Sequence, residues 1–143
     1  MKKQKGFTLL EIMVVVVIMG LLASVVATNV MGSKEEASIQ KAQIDIKSLD
    51  EALEMYKLDN HKYPTTEQGL DALVNKPTSS PEPKNYRSGG YIKDLPLDPW
   101  DNDYVYIYPG VHNNRGFDIY SMGPDGEPET DDDIGNWKDK DRK

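Results

Sequence analysis

GFTLLEIMVVVVIMG, residues 6–20, places one carboxylate, Glu11, inside an otherwise apolar run. An ionised carboxylate in hydrocarbon costs several kcal/mol unless it finds a partner. The run continues to Met31, interrupted only by Thr8, Glu11, Ser24, Thr28 and Asn29 among polar side chains. At about 1.5 Å per helical residue, residues 7–31 reach roughly 37 Å, enough for a bilayer core of about 30 Å. They are expected to form a single transmembrane helix. Lys2, Lys3 and Lys5 stand before it, which holds the N-terminus in the cytoplasm and sends residues 32–143 across.

Two ordinary readings leave something over. A secretory signal needs a small-residue cleavage site after the apolar run, and no A-x-A pattern stands between Ala23 and Thr28. A signal anchor fits the hydropathy and gives no reason for Glu11. A cut after Gly6 does give one. It frees an α-ammonium on Phe7, four residues from Glu11 and on the same helix face. Ammonium and carboxylate then neutralise each other, most usefully between neighbouring copies.

Basic leader, Gly-Phe junction and a Glu at the fifth apolar position together resemble the N-terminal signal of type IV pilins and type II secretion pseudopilins. The resemblance implies that a prepilin peptidase removes residues 1–6 as a leader, cutting between Gly6 and Phe7. It further implies that Phe7 becomes N-methylated and that Glu11 aligns subunits during filament assembly.

Beyond the apolar run the chain is polar and acidic. Mean hydropathy is -0.63 and formal charge is -7, falling to -10 with loss of the three leader lysines. Such a balance argues against nucleic acid, whose phosphates need a basic face, and suits cation binding. The chain has no cysteine, so no disulfide can close its loops. Residues 33–59 read as an amphipathic helix, with Ile39, Ala42, Ile46, Leu49, Leu53 and Tyr56 on one stripe. No proline falls between Phe7 and Tyr63, so one helix of about 50 residues, about 75 Å long, is expected. Thr65 and Gln68 form a capping pair ahead of a short helix over Glu67–Asn75, which buries Leu70, Leu73 and Val74. Residues 76–90 read as a surface loop. Tyr104–Tyr108 alternates as a strand whose tyrosines face the long helix. Residues 109–116 turn, Phe117–Ser121 returns as a second strand, and Tyr91–Leu95 is expected as a short edge strand. The fold class is α+β, a lollipop with a long N-terminal helix packed on a small antiparallel sheet.

MYKLDNHKYPTTEQGLDAL (55–73) and LPLDPW-x-N (95–102) narrow the resemblance to the major, G-type pseudopilins of type II secretion. Asp101 and Asp103 stand where a Gly and a Pro are common in the second block, and Thr28 where many pilin-like chains carry a proline. The resemblance implies a structural subunit, anchored in the inner membrane with its soluble domain in the periplasm. Copies polymerise into a helical pseudopilus that drives folded proteins across the outer membrane. Its partners would be copies of itself, the minor pseudopilins, the inner-membrane assembly platform and the prepilin peptidase. An adhesive or motility pilin, and a monomeric membrane-anchored calcium-binding module, are the alternatives.

SMGPDGEPETDDDIGNW (121–137) crowds carboxylates into a Gly/Pro-rich loop. The spacing departs from an EF-hand and by itself leaves open a solvated acidic loop or a hard-cation site. The resemblance implies Ca²⁺, held by the Met122 carbonyl oxygen and by Asp125, Asp132 and Asp133, with Asp131 a weaker candidate. His61 and His112 read as solvent-facing turn residues without triad partners, so no catalytic residue is expected and the protein reads as a non-enzyme.

Overall fold

The computed structural model describes residues 6–137, without the side chains of residues 25–31. The chain forms two compact units that divide between Ala37 and Ser38. One helix, α1 (Leu9–Asn60), is assigned without a break at Thr28. In the first unit every described side chain from Phe7 to Ser24 is exposed. Phe7 and Leu9 are each 79% accessible.

The second unit holds the core. From α1 it takes Ala42, Ile46, Leu49, Ala52, Leu53 and Tyr56, all buried. These positions follow the three- and four-residue spacing of the expected stripe, and Ile39 packs at its edge. Each large apolar side chain so buried contributes about 1.5–3 kcal/mol. The helix ends where Asn60 gives way to His61, whose φ of 62° and N–H to the Lys57 carbonyl (2.7 Å) form a left-handed cap.

Three antiparallel strands face this stripe: β1 (Val105–Ile107), β2 (Asp118–Ser121) and β3 (Ile134–Gly135), in the order β1-β2-β3. The alternation of 104–108 carries through as expected. Tyr104 and Tyr106 are buried in the core, while Val105 and Ile107 are only half-buried. Tyr106 donates its hydroxyl to the Pro64 carbonyl (2.8 Å).

Two expectations need correction. The residues after Thr65 form a turn and then a 3₁₀ helix of four residues, Leu70–Leu73, not an α-helix over 67–75. The capping pair itself exists: Gln68 N–H donates to Thr65 Oγ1 (3.2 Å) and Thr65 N–H to Gln68 Oε1 (3.1 Å). Gly69, at φ 59°, then diverts the chain. Gln68 also donates its side-chain amide to the Ser79 and Pro81 carbonyls, tying this turn to the 76–90 loop. Tyr91–Leu95 is a series of bends, not an edge strand. Its amides at Tyr91 and Ile92 are spent on the Leu73 carbonyl (2.7 and 3.2 Å), so no ladder forms. Gly90 makes this approach possible, since a Cβ there would lie 2.7 Å from the Val74 carbonyl oxygen. The actual third strand, β3, is a two-residue segment that follows the acidic loop.

Candidate functional site

The residues expected to carry chemistry lie in two places, one in each unit. At the N-terminus, Gly6 and Phe7 precede the helix, and Thr8 caps it. Glu11 N–H donates to the Thr8 hydroxyl oxygen (3.2 Å) and to the Thr8 carbonyl (3.1 Å). Glu11 is therefore the acidic residue of the first helical turn, where the positive end of the helix dipole favours a carboxylate. Among the described residues it forms no salt bridge. Its apolar neighbours Leu10, Ile12, Met13, Val14 and Val15 are 44–73% accessible. Among the described residues no helix is long and apolar enough to cross a membrane. The expected span over 7–31 includes 25–31, whose side chains lie outside the description, and the leader over residues 1–5 lies outside the described residues.

The second place is the loop between β2 and β3, where the acidic residues are organised by their own backbone. Asp125 N–H donates to Asp132 Oδ2 (3.3 Å), Glu127 N–H to Asp125 Oδ1 (2.8 Å) and Glu129 N–H to Asp133 Oδ2 (2.8 Å). Thr130 donates its hydroxyl to Asp132 Oδ1 (2.6 Å), which holds the Asp132 carboxyl below its usual range. Burial pushes the Asp133 carboxyl upward against the hydrogen bonds it accepts from Glu129 and Thr130 N–H groups, and the charges of Asp132 and Asp125 add to the rise. Asp133 Oδ1 is buried without a hydrogen-bond partner among the described residues. Asp131 is exposed, and Met122 half-buried. Among the described residues no group of three or more acidic, His or Cys side chains converges tightly enough to grip an ion. The donor set is nevertheless all hard oxygen, and the unpartnered Asp133 oxygen beside like charges fits a hard cation.

Beneath this loop lies a buried polar chain that sequence reasoning missed. Asp98, 3% exposed, accepts N–H bonds from Trp100 (2.9 Å) and Asn102 (2.8 Å) on Oδ1, and the Ser121 hydroxyl (2.6 Å) on Oδ2. Ser121 Oγ in turn accepts the Gly123 N–H (3.1 Å). Asp98 followed by Pro99 with Asn102 four residues on is an Asx-turn signal. Asp101, standing where Gly is common, occupies the left-handed region at φ 66° within that turn.

A second carboxylate, Asp118, folds the 110–116 loop: Val111, His112 and Asn113 all donate backbone N–H groups to it at 2.7–2.9 Å. His112 is not simply a solvent-facing turn residue. Its ring stacks on Trp137 at 3.9 Å and 10°, and its Nδ1 lies 3.3 Å from Asp118 Oδ2. The ring is about half exposed. His61 is exposed at the helix cap.

A long apolar-started helix followed by a small antiparallel sheet and an acidic loop is the pseudopilin class of fold. The crystal structure of the major pseudopilin from the type 2 secretion system of enterohaemorrhagic Escherichia coli matches this chain with a TM-score of 0.70 and 57% identity, over 75% of this chain and 88% of that one. The model of the family "Type II secretion system (T2SS), protein G" matches residues 29–137, and that of the prokaryotic N-terminal methylation motif matches residues 1–27. Type II secretion system core protein G of Aeromonas hydrophila is 64% identical over 140 residues, covering 98% of this chain and 96% of the relative. Its counterpart in Escherichia coli K12 is 62% identical over 135 residues, covering 94% and 92%. The chain belongs to the type II secretion system protein G family. It is a structural pseudopilin, not an enzyme.

Proposed function

We propose that this chain is the repeating subunit of a periplasmic pseudopilus, made by cleavage after Gly6, methylation of Phe7 and polymerisation through the apolar helix. The observation that carries this reading is Glu11, a carboxylate in the first turn of an exposed apolar helix with no salt bridge among the described residues. The new Phe7 ammonium of a neighbouring copy supplies that partner, and apolar helix packing supplies the bulk of the association energy. Before assembly the helix anchors the subunit in the inner membrane, with the acidic domain in the periplasm. Minor pseudopilins, the inner-membrane assembly platform and the prepilin peptidase are the partners this process requires.

Intact mass of the protein from cells with and without prepilin peptidase tests the reading. Loss of residues 1–6 with gain of one methyl group, only when the peptidase is present, is the expected result. A retained leader, or a cut near Ala27, overturns it.

We further propose that the 122–133 loop holds Ca²⁺ through the Met122 carbonyl oxygen and the Asp125, Asp132 and Asp133 carboxylates, Asp131 remaining outside. The ion supplies positive charge that offsets the repulsion among these carboxylates and gives Asp133 Oδ1 a partner. It closes the loop in a chain that has no cysteine to do so. At an ion concentration a hundred times Kd, binding stabilises the domain by about 2.7 kcal/mol. Thermal unfolding with calcium and with a chelator is the check, and equal midpoints would sink the assignment.

A further inference from the structure

We propose that Ser121 and Asp98 are positioning residues for calcium at the acidic loop, acting from beneath it without touching the ion. The inference rests on the calcium reading above. Ser121 is fully buried, and Asp98 nearly so. Each is a polar group that must be satisfied where it sits. The Ser121 hydroxyl is satisfied in one orientation: it donates to Asp98 Oδ2 and accepts from Gly123 N–H. That second bond fixes the peptide joining Met122 to Gly123, and with it the direction of the Met122 carbonyl.

Gly123 completes the link to the carboxylates. It sits at φ +64°, and a Cβ there would lie 2.6 Å from both the Asp132 carbonyl oxygen and Asp132 Oδ2. The backbone of residue 123 and the Asp132 carboxylate are thus pressed together, so a shift at Gly123 moves a proposed ligand directly. Asp98 secures the far end by holding the Trp100 and Asn102 amides, and the Asn102 side-chain amide lies beside Gly126 across the loop. Hydrogen bonds thus run from Gly123 through Ser121 to Asp98, which also holds residues 100 and 102, and Asp132 packs against the Gly123 end.

Groups that orient ligands from behind change metal affinity 10- to 100-fold when removed. Calorimetric titration of the purified full chain with calcium, for wild type, Ser121→Ala, Ser121→Cys, Asp98→Asn and the Ser121→Ala/Asp98→Asn double variant, tests the proposal. Ser121→Ala is expected to weaken calcium binding about tenfold, and the metal-free Gly123 amide to exchange faster. Asp98→Asn should act similarly, since its amide would offer Ser121 a donor in place of an acceptor, and the double variant should lose little more than either single one. Ser121→Cys, which fills the same space with a weaker donor, should fall between, and it carries the test if Ser121→Ala does not fold. Leu53→Ala, a truncation of a buried core residue on α1 that takes no part in these hydrogen bonds, is the control and should keep wild-type affinity despite a lower melting point. Binding by the Ser121 and Asp98 variants within twofold of wild type overturns the proposal, as does an equal loss in Leu53→Ala. If the wild type itself takes up no calcium, the calcium reading falls and this inference with it.

Discussion

The hydroxyl of Tyr104 donates to Asp45 Oδ2 at 2.9 Å, joining residues 59 apart in sequence and fastening the start of the sheet to the helix. Lys41 Nζ reaches the same oxygen at 2.6 Å, one helical turn earlier, so Asp45 serves two donors. A hydrogen bond to a charged acceptor exceeds a neutral one in strength. Tyr104→Phe is expected to cost about 1–2 kcal/mol in denaturant unfolding, and a double-mutant cycle with Asp45→Ala should return a coupling near 1 kcal/mol. A Tyr104→Phe domain that unfolds like wild type would show that the bond contributes nothing.

Burial and tyrosine hydroxyl bonding also set the alkaline limit. Burial pushes Tyr56 up to about 12, and lifts Tyr63, Tyr104 and Tyr106 well above the ordinary tyrosine value. Hydrogen bonds to Glu54 and Asp45 add to the rise at Tyr63 and Tyr104. A raised folded pKa means that the neutral form is favoured by folding. The associated stability is complete below the unfolded value of about 10 and is lost as pH climbs above it. Tyrosinate absorbance from these four residues should therefore appear together with loss of circular dichroism. Their ionisation in a still folded domain would contradict this.

At the acid end Asp118 contributes through its backbone partners. Burial works against its charged form, but the N–H groups of His112, Asn113 and Val111 and the His112 ring outweigh that and hold the carboxyl below its ordinary value. A lowered folded pKa contributes stability above the unfolded value of about 3.9, lost as pH falls through the folded one. Asp118→Ala should cost about 2–4 kcal/mol at neutral pH by orphaning those amides, and should flatten the decline of stability below about pH 4. An unchanged acid profile in the variant would assign that decline elsewhere.

Gly135 supports the stack at the end of the described chain. A Cβ at this position would meet the Trp137 ring, which lies on His112 and edge-on to Tyr120. Gly135→Ala is expected to displace the indole and cost about 1–3 kcal/mol. Tryptophan fluorescence in a Trp100→Phe background isolates Trp137, and an emission spectrum identical to that of Gly135 protein would show that the ring need not move.

Calcium removal tests the acidic loop separately. Asp125→Ala and Asp132→Ala should each abolish the difference in melting temperature between calcium and chelator while leaving the chelated midpoint near that of wild type. A residual calcium shift in both variants would move the ion to other ligands.

The helix was legible because its information is local. Three- and four-residue spacing from Ile39 to Tyr56 and the lack of proline specify an amphipathic helix whatever it packs against. Thr8, whose hydroxyl accepts the Glu11 N–H, caps the start of this helix in the structure. The alternation at 104–108 likewise names the buried tyrosine face. The helix expected over 67–75 does not form for an equally local reason, the left-handed glycine at position 69.

What the sequence by itself determined, then, is every feature that a few neighbouring residues can encode: the apolar segment with its carboxylate, the amphipathic stripe, the paired strands and the place of the acidic loop. What only the tertiary structure decided is how distant polar groups meet. Ile134-Gly135 becomes a strand because β2 offers it an open edge, Tyr91 becomes a bend because the Leu73 carbonyl claims its amide, and Asp98 reaches Ser121 across 23 residues. A buried donor or acceptor must be paired with whatever partner the fold brings near, and no pattern in the local sequence names that partner.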